Sequence, residues 1–328
     1  MRVNKLRDLK VSEIGYGCMS LSMGYGATPS KKEAISIIQS AYNQGCTFFD
    51  TAEIYGNGEN EKLVGEALKN VRNKVVIATK FMLQIPGENL TRDKLMIIIR
   101  EKLEASLKNL GMDYIDLYYQ HRVNKDIPVE DVAWCMGKFI EEGKIHGWGQ
   151  SNSTVEEIRN AHAVTPITAI QSEYSMLSRH FEEDIIPTCK ELGIGFVAYS
   201  PLASGFLSGK INLDTEYVGF DARRVIPRFE KENIIANQPL IDLLSKFADK
   251  KNATPAQISL AWMLHKNDFV VPIPSSRKEQ RNIENFGAVG IILTENEFTQ
   301  IENELSKIKI HGKKTTDEDM FKLAALVS

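Results

Sequence analysis

Four ionisable side chains fall at or just beyond the ends of short apolar runs. Asp50 follows "CTFF", Lys80 ends "KVVIATK", His121 ends "YIDLYYQH", and Tyr55 stands just past Asp50 in "DTAEIYG". The chemistry that suits this set is proton donation to a carbonyl oxygen. A free phenol has a pKa of roughly 10 and donates poorly near neutrality, but an adjacent ammonium favours the phenolate and lowers that value. Lys80 is expected to supply the ammonium, Asp50 to hold Lys80 in place and keep it protonated, and His121 to hydrogen-bond and orient the carbonyl oxygen. Tyr55 is then the acid, and an acid needs a hydride or a nucleophile to complete the reaction. Taken singly, each residue has a plainer reading: a loop cap, a core phenol, a snorkelling lysine, a structural histidine. Their conjunction at successive strand ends is what points to chemistry.

That conjunction requires strands that bring the four together. Eight β-branched or aromatic runs, "EIGYGCM", "CTFFDTA", "KVVIATK", "YIDLYYQH", "IHGWGQS", "TAIQSEY", "GIGFVAYS" and "FVVPIPSS", alternate with amphipathic stretches from near the start to the end of the chain. The stretches read as helices. One is capped by Ser30 and stopped at Gly45, another runs from Thr91 to Gly111, and a third has Thr254 as its cap with Pro255 in its first position. Parallel strands joined through helices need right-handed crossovers, and eight such units close most economically as a barrel. An α/β fold, a (β/α)8 TIM barrel forming one domain over residues 1–328, is the expectation. The rival, an open doubly wound sheet, usually announces itself by a clean G-x-G-x-x-G after the first strand, which "GYGCMSLSMGYG" lacks. In a parallel barrel the strand ends converge on one face, where active sites are built. The longest break in the rhythm, residues 201–238, is too long for a passive connection and is a candidate ligand-covering loop.

Composition sets the outer bounds. The 328 residues are 43% hydrophobic and 25% charged with a net charge of −3, an ordinary globular mixture without the broad basic face that nucleic acid would require. Cys18, Cys46, Cys135 and Cys189 stand singly, without C-x-x-C pairs or clustered histidines, so they read as buried thiols and no metal site is expected. No stretch approaches the roughly 20 apolar residues of a membrane span, and the basic start lacks the apolar core of a signal peptide. A soluble, cytoplasmic protein of a reducing compartment is expected, with no membrane or nucleic-acid partner; the sequence leaves its oligomeric state open.

With these residues in view, the chain resembles the aldo-keto reductases. Asp50, Tyr55, Lys80 and His121 match that family's catalytic tetrad, and "GWGQSN", "AIQSEYSML", "AYSPLASGFLSGK" and "PIPSSRKEQRNIEN" continue the match in order across nearly the whole chain. The resemblance implies a barrel that binds NADPH without a Rossmann domain, NADH being weaker, and that reduces aldehydes or ketones reversibly. The family's potassium-channel β subunits supply a second possibility: a non-catalytic, NADPH-binding barrel serving as a regulatory subunit of a membrane protein.

The resemblance also distributes the cofactor. Ser151, Asn152 and Gln171 match residues that hold the nicotinamide carboxamide, although their amide and hydroxyl groups would equally cap loops. Tyr199 offers a flat ring to stack on the nicotinamide. The loop "SPLASGFLSGK" is where the family contacts pyrophosphate, with Ser200, Leu202, Ser204, Gly205, Leu207 and Lys210 lining it. Ser276, Arg277 and Arg281 place hydroxyl and guanidinium groups beside a helix start, which makes a phosphate site, and the family holds the adenosine 2'-phosphate there. Glu284 and Asn285 match the positions that touch adenine. Ser275 and Arg277 depart from the Gly and Lys that relatives often carry. Met23, Tyr25, Phe81, Met82, Arg122 and the long loop near Phe220 are expected to wall an apolar, adaptable substrate pocket for a small carbonyl compound. The final segment, from His311 onward, either crosses the pocket or lies outside the barrel.

Overall fold

The computed structural model describes residues 1–85 and 90–314. An N-terminal hairpin of β1 (Val3–Leu6) and β2 (Leu9–Ser12) precedes eight parallel strands: β3 (Tyr16–Gly17), β4 (Phe48–Asp50), β5 (Val76–Phe81), β6 (Leu117–Gln120), β7 (Trp148–Ser151), β8 (Ala169–Glu173), β9 (Gly195–Tyr199) and β10 (Val270–Pro272). Between and after them run α1 (Lys31–Asn43), α2 (Glu59–Leu68), α3 (Arg92–Leu110), α4 (Val129–Glu141), α5 (Val155–Val164), α6 (Ile185–Leu192), α7 (Lys231–Ala236), α8 (Gln238–Lys251), α9 (Pro255–Lys266), α10 (Glu279–Gly287) and α11 (Glu295–Leu305). No helix among the described residues is long and apolar enough to cross a membrane.

The parallel strands pair in sequence order from β3 to β10. The seam is closed by two backbone bonds, from the Gly15 N–H to Pro272 O at 2.9 Å and from the Gly17 N–H to Pro274 O at 3.2 Å. A Cβ on Gly17 would lie 2.9 Å from Ile273 O, so the strands approach this closely because no side chain stands between them. The result is a closed (β/α)8 barrel.

Strand alternation sorts the side chains. Phe48, Ala78, Leu117, Tyr119, Ala169, Val197 and Val271 fill the barrel, while Phe49, Ile77, Tyr118, Trp148, Ile170, Phe196 and Val270 face the helices. The hairpin, which the eight-run reading of the sequence passes over, seals the amino-terminal end of the barrel. Its Leu6 and Val11 join the interior cluster, and a Cβ on Gly195 would meet Leu6 Cα at 2.7 Å.

Local signals explain the helices. Ser30 and Glu33 form a reciprocal capping box on α1, Thr91 caps α3, and Thr254 with Gln257 boxes α9 behind Pro255. Helix α2 opens just beyond Tyr55 and packs so tightly that a Cβ on Gly65 would fall 2.0 Å from Leu110 O of α3. Its buried Glu61 accepts from Thr79 Oγ1 of β5 at 2.7 Å and from Asn109 Nδ2 of α3 at 2.9 Å, which fixes the helix to both neighbours. The four cysteines are buried, free thiols.

Candidate active site

The alternation that buries Phe48 and Ala78 inside the barrel also turns Asp50 and Lys80 inward one layer higher. The same parity turns His121, Ser151, Gln171, Glu173 and Tyr199 toward the mouth.

Lys80 and Asp50 form an ion pair whose side chains are 1% and 3% exposed. Lys80 Nζ also donates to Thr51 O at 2.7 Å, and the second oxygen of Asp50 accepts from Gln171 Nε2 at 2.8 Å. Burial, the largest single influence, would lower the lysine's proton affinity, but the charges of Asp50 and Tyr55 and the hydrogen bonds to both together outweigh it and hold Lys80 above its ordinary value.

Tyr55 is carried by a short loop between β4 and α2. Thr51 Oγ1 donates to Asn60 Oδ1 at 2.6 Å, Asn60 Nδ2 reaches Cys18 O at 2.9 Å and Ser22 Oγ at 2.7 Å, and the Asn60 N–H reaches Tyr55 O at 3.2 Å. The phenol ring, 9% exposed, stands edge-on to His121 with centroids 5.9 Å apart and has Lys80 Nζ 5.2 Å from its centroid. The expected lowering of its pKa is corrected by the structure. Burial pushes Tyr55 up, and the downward pull of Lys80 only partly offsets it, so the phenol keeps its proton near neutrality. His121 moves the other way. Burial, with Lys80 and then Arg122 adding to it, pushes the imidazole down to about 2, and its Nδ1 is buried without a partner among the described residues. It is therefore neutral and presents one N–H donor.

The remaining assignments divide. Asn152 sits in the left-handed region at φ 57° and accepts from Tyr199 Oη at 3.3 Å, and Ser151 Oγ accepts from Arg122 at 3.3 Å. Gln171 is drawn into the tetrad through Asp50. Ser200 and Ser204 are also left-handed, at φ 49° and 56°; together with Asn57, Asn152 and Ala203 they make five of the seven described non-glycine residues so strained, all in mouth loops. Backbone strain gathered there fits a surface shaped around a ligand. The N–H groups of Gly205 and Leu207 both donate to Leu202 O, and Leu207 is fully buried in the core beside the outer helices. Lys210 is exposed. No side chain caps the start of α10, where Ser276, Arg277 and the exposed Arg281 gather, so this end fits a phosphate. Arg277 itself donates to the carbonyls of Tyr25, at 2.5 Å, and of Ala27. Glu284 accepts from Thr254 Oγ1 at 2.7 Å, and Asn285 is buried.

Of the expected pocket residues, Met23, Tyr25, Met82 and Arg122 lie in mouth loops, but Phe81 does not reach the mouth. Phe81 follows an inward lysine, so it points outward, fully buried against Tyr118 with centroids 4.9 Å apart. Most of the final segment, residues 315–328, lies outside the described residues.

Several mouth residues escape a reading by strand ends alone. Glu173, two positions beyond Gln171 on the same inward parity, accepts from Ser178 Oγ at 2.9 Å and faces the buried Arg228 at 3.9 Å. The long loop after β9 joins the loop after β3 through a Tyr25–Asp221 bridge. Arg223 locks that junction, pairing with Asp221 at 2.6 Å and lying 4.5 Å from the Tyr217 ring centroid. Alternation along "AIQSEY" was a signal for Glu173; pairing between two distant loops leaves no local one.

The chain is similar to known proteins over most of its length. The aldo/keto reductase family model matches residues 13–305. A probable aldo-keto reductase of Glycine max is 42% identical over 297 residues, which are 90% of this chain and 86% of that protein. A glycerol dehydrogenase from Gluconobacter oxydans superposes with a TM-score of 0.83 at 26% identity, over 96% of this chain and 98% of that one. An aldo/keto reductase from Klebsiella pneumoniae, solved with NADP and acetate, has a TM-score of 0.71 at 26% identity, over 95% and 96% of the two chains.

Proposed function

We propose that this chain, which belongs to the aldo/keto reductase family, is a single-domain enzyme that reduces the carbonyl of aldehydes or ketones with NADPH, reversibly with the corresponding alcohols, Tyr55 being the proton donor. Membership supports an oxidoreductase, and the Klebsiella pneumoniae relative solved with NADP supports the choice of cofactor. The observation that carries the reading is the enclosure of Tyr55, His121 and the compensated Lys80–Asp50 pair in one mouth.

The reduced nicotinamide, when bound, supplies hydride to the carbonyl carbon. Tyr199, Ser151 and Asn152 are the groups that would hold its ring and amide, and the loop from Ser200 to Lys210 together with Ser276, Arg277 and Arg281 would hold its phosphates. The protein's own part is proton delivery. Because burial raises the Tyr55 pKa, the phenol enters the reaction protonated and gives its O–H proton to the carbonyl oxygen as negative charge develops there. The Lys80 ammonium steadies the phenolate left behind, and its value grows in a site that excludes water. Asp50 and Thr51 O keep that ammonium charged and aimed, while Gln171 occupies the other carboxylate oxygen. Neutral His121 donates its N–H to the same carbonyl oxygen and does not compete for the proton.

Tyr55→Phe tests the assignment. Turnover, followed as loss of NADPH absorbance with a panel of aldehydes, ketones, quinones and sugars, is expected to fall by roughly 10²- to 10⁴-fold, with NADPH affinity little changed. Full activity in the variant removes Tyr55 as the acid. Tight NADPH binding by the unaltered protein with no turnover on any carbonyl would favour the regulatory-subunit reading instead.

A further inference from the structure

We infer that Arg122 selects the substrate by binding an anionic oxygen group, carboxylate or phosphate, carried near the carbonyl that is reduced. The inference rests on the reductase reading and names the class of molecule that this mouth accepts.

Position comes first. Arg122 directly follows His121 beyond β6, and its Nη1 donates to His121 O at 2.7 Å and to Ser151 Oγ at 3.3 Å. Those two bonds hold one corner of the guanidinium against the rim between β6 and β7, and no other hydrogen bond from its side chain is formed among the described residues. The residue is exposed. A guanidinium held at one nitrogen offers the fork of its other nitrogens to a carboxylate or phosphate, and prior fixation reduces the entropy lost on binding.

Charge comes second. Three other cations around the mouth face carboxylates: Lys80 has Asp50, Arg223 has Asp221, and Arg228 has Glu173. Arg122 has none within 4.0 Å among the described residues. Burial is the largest influence on Tyr55, Tyr199 and His121, yet the Arg122 charge registers at all three, so the guanidinium lies within electrostatic reach of the reacting centre.

Topology separates this cation from the cofactor's phosphate end. With the strands paired in sequence order and the seam closed, β6 stands four places from β10, across the barrel from Ser276, Arg277 and Arg281. Arg122 therefore serves whatever enters beside His121, and the chemistry complementary to it is an anion on the substrate.

The test compares matched pairs of substrates. Linear oxo-carboxylates of increasing length are assayed beside their methyl esters, and glyceraldehyde 3-phosphate beside glyceraldehyde, in the unaltered protein, Arg122→Gln and Arg122→Lys. In the unaltered protein kcat/KM is expected to favour the charged member by roughly ten- to a hundredfold for at least one pair, and to do so less as salt is added. Arg122→Gln brings that ratio toward one, whatever happens to the absolute rates, and Arg122→Lys leaves an intermediate ratio. Preference within the carboxylate or the phosphate series identifies the anion. Equal use of charged and neutral members, or a ratio that survives Arg122→Gln, overturns the proposal. A second measurement needs no turnover: benzoate and phenyl phosphate are titrated against the NADPH-loaded protein by nicotinamide fluorescence, and weaker binding to Arg122→Gln is expected. If no carbonyl is reduced at all, the reductase reading falls while this titration still decides the anion site.

Discussion

Asp50→Asn probes the centre of the site most directly, because it removes a charge and almost no volume. In the native protein the Lys80 ammonium, 1% exposed, has Asp50 as its counterion and Thr51 O as a further acceptor. The variant keeps Thr51 O but strands the positive charge in a dry interior. Removing one member of a buried pair costs about 3–5 kcal/mol, and with no cavity created that whole amount is electrostatic in origin. A double variant, Asp50→Asn with Lys80→Met, leaves no buried charge and is expected to recover most of the loss, giving a coupling of about 3 kcal/mol in the cycle. Urea unfolding near pH 7, read by the fluorescence of the buried Trp148 and Trp262, measures all four corners. The sign with pH is also fixed. Lys80 holds its proton above the ordinary lysine value, so the pair's stabilisation is fully present at neutrality and is lost as pH rises through the lysine's raised pKa. Should Asp50→Asn unfold within about 1 kcal/mol of the unaltered protein, or should the two substitutions simply add, the pair is not the buried electrostatic unit described above.

Other consequences can be measured independently. Arg281→Ala is expected to weaken NADPH binding far more than NADH binding in a fluorescence titration, and equal losses would count against a 2'-phosphate at the start of α10. His121, buried neutral and pushed down to about 2, binds fewer protons folded than unfolded between that value and about 6.5. Its contribution to stability therefore falls by about 1.4 kcal/mol for each pH unit of acidification through that window, and His121→Gln should flatten the acid limb of urea-midpoint titrations; identical slopes would show an ordinary imidazole. Gly65→Ala places a methyl 2.0 Å from Leu110 O and should destabilise by about 1–3 kcal/mol or more as α2 and α3 are forced apart, whereas an unchanged urea midpoint would mean that the helix crossing yields freely.

The parts of this protein legible in its sequence are those written in local periodicity. Strand runs, helix caps such as Ser30 and Thr254, and polar residues at strand ends such as Asp50, Lys80 and His121 each depend on a few neighbouring positions. What local periodicity does not carry is the direction and depth of each side chain in space. Phe81 follows Lys80, and alternation sends it to the opposite face of the sheet. Leu207 sits in a loop of small residues, yet its side chain is recruited by the core. The phenol's pKa lies above the sequence expectation because a sequence shows a charged neighbour but not the depth at which both are buried. The hairpin that plugs the barrel and the Tyr25–Asp221 junction are contacts between segments far apart in the chain, and neither end announces its partner.

The Gly15–Pro272 and Gly17–Pro274 bonds have a consequence for how the molecule is made. During synthesis on the ribosome, β3 emerges early and β10 near the end, so one edge of the growing sheet stays unpaired until almost the whole polypeptide is available. Joining ends so distant carries a large conformational penalty before any contact repays it, and an open strand edge is a template for wrong pairing meanwhile. The bare glycine backbone that lets the final join fit is therefore also an edge of the nascent chain that goes unshielded until the last strand arrives.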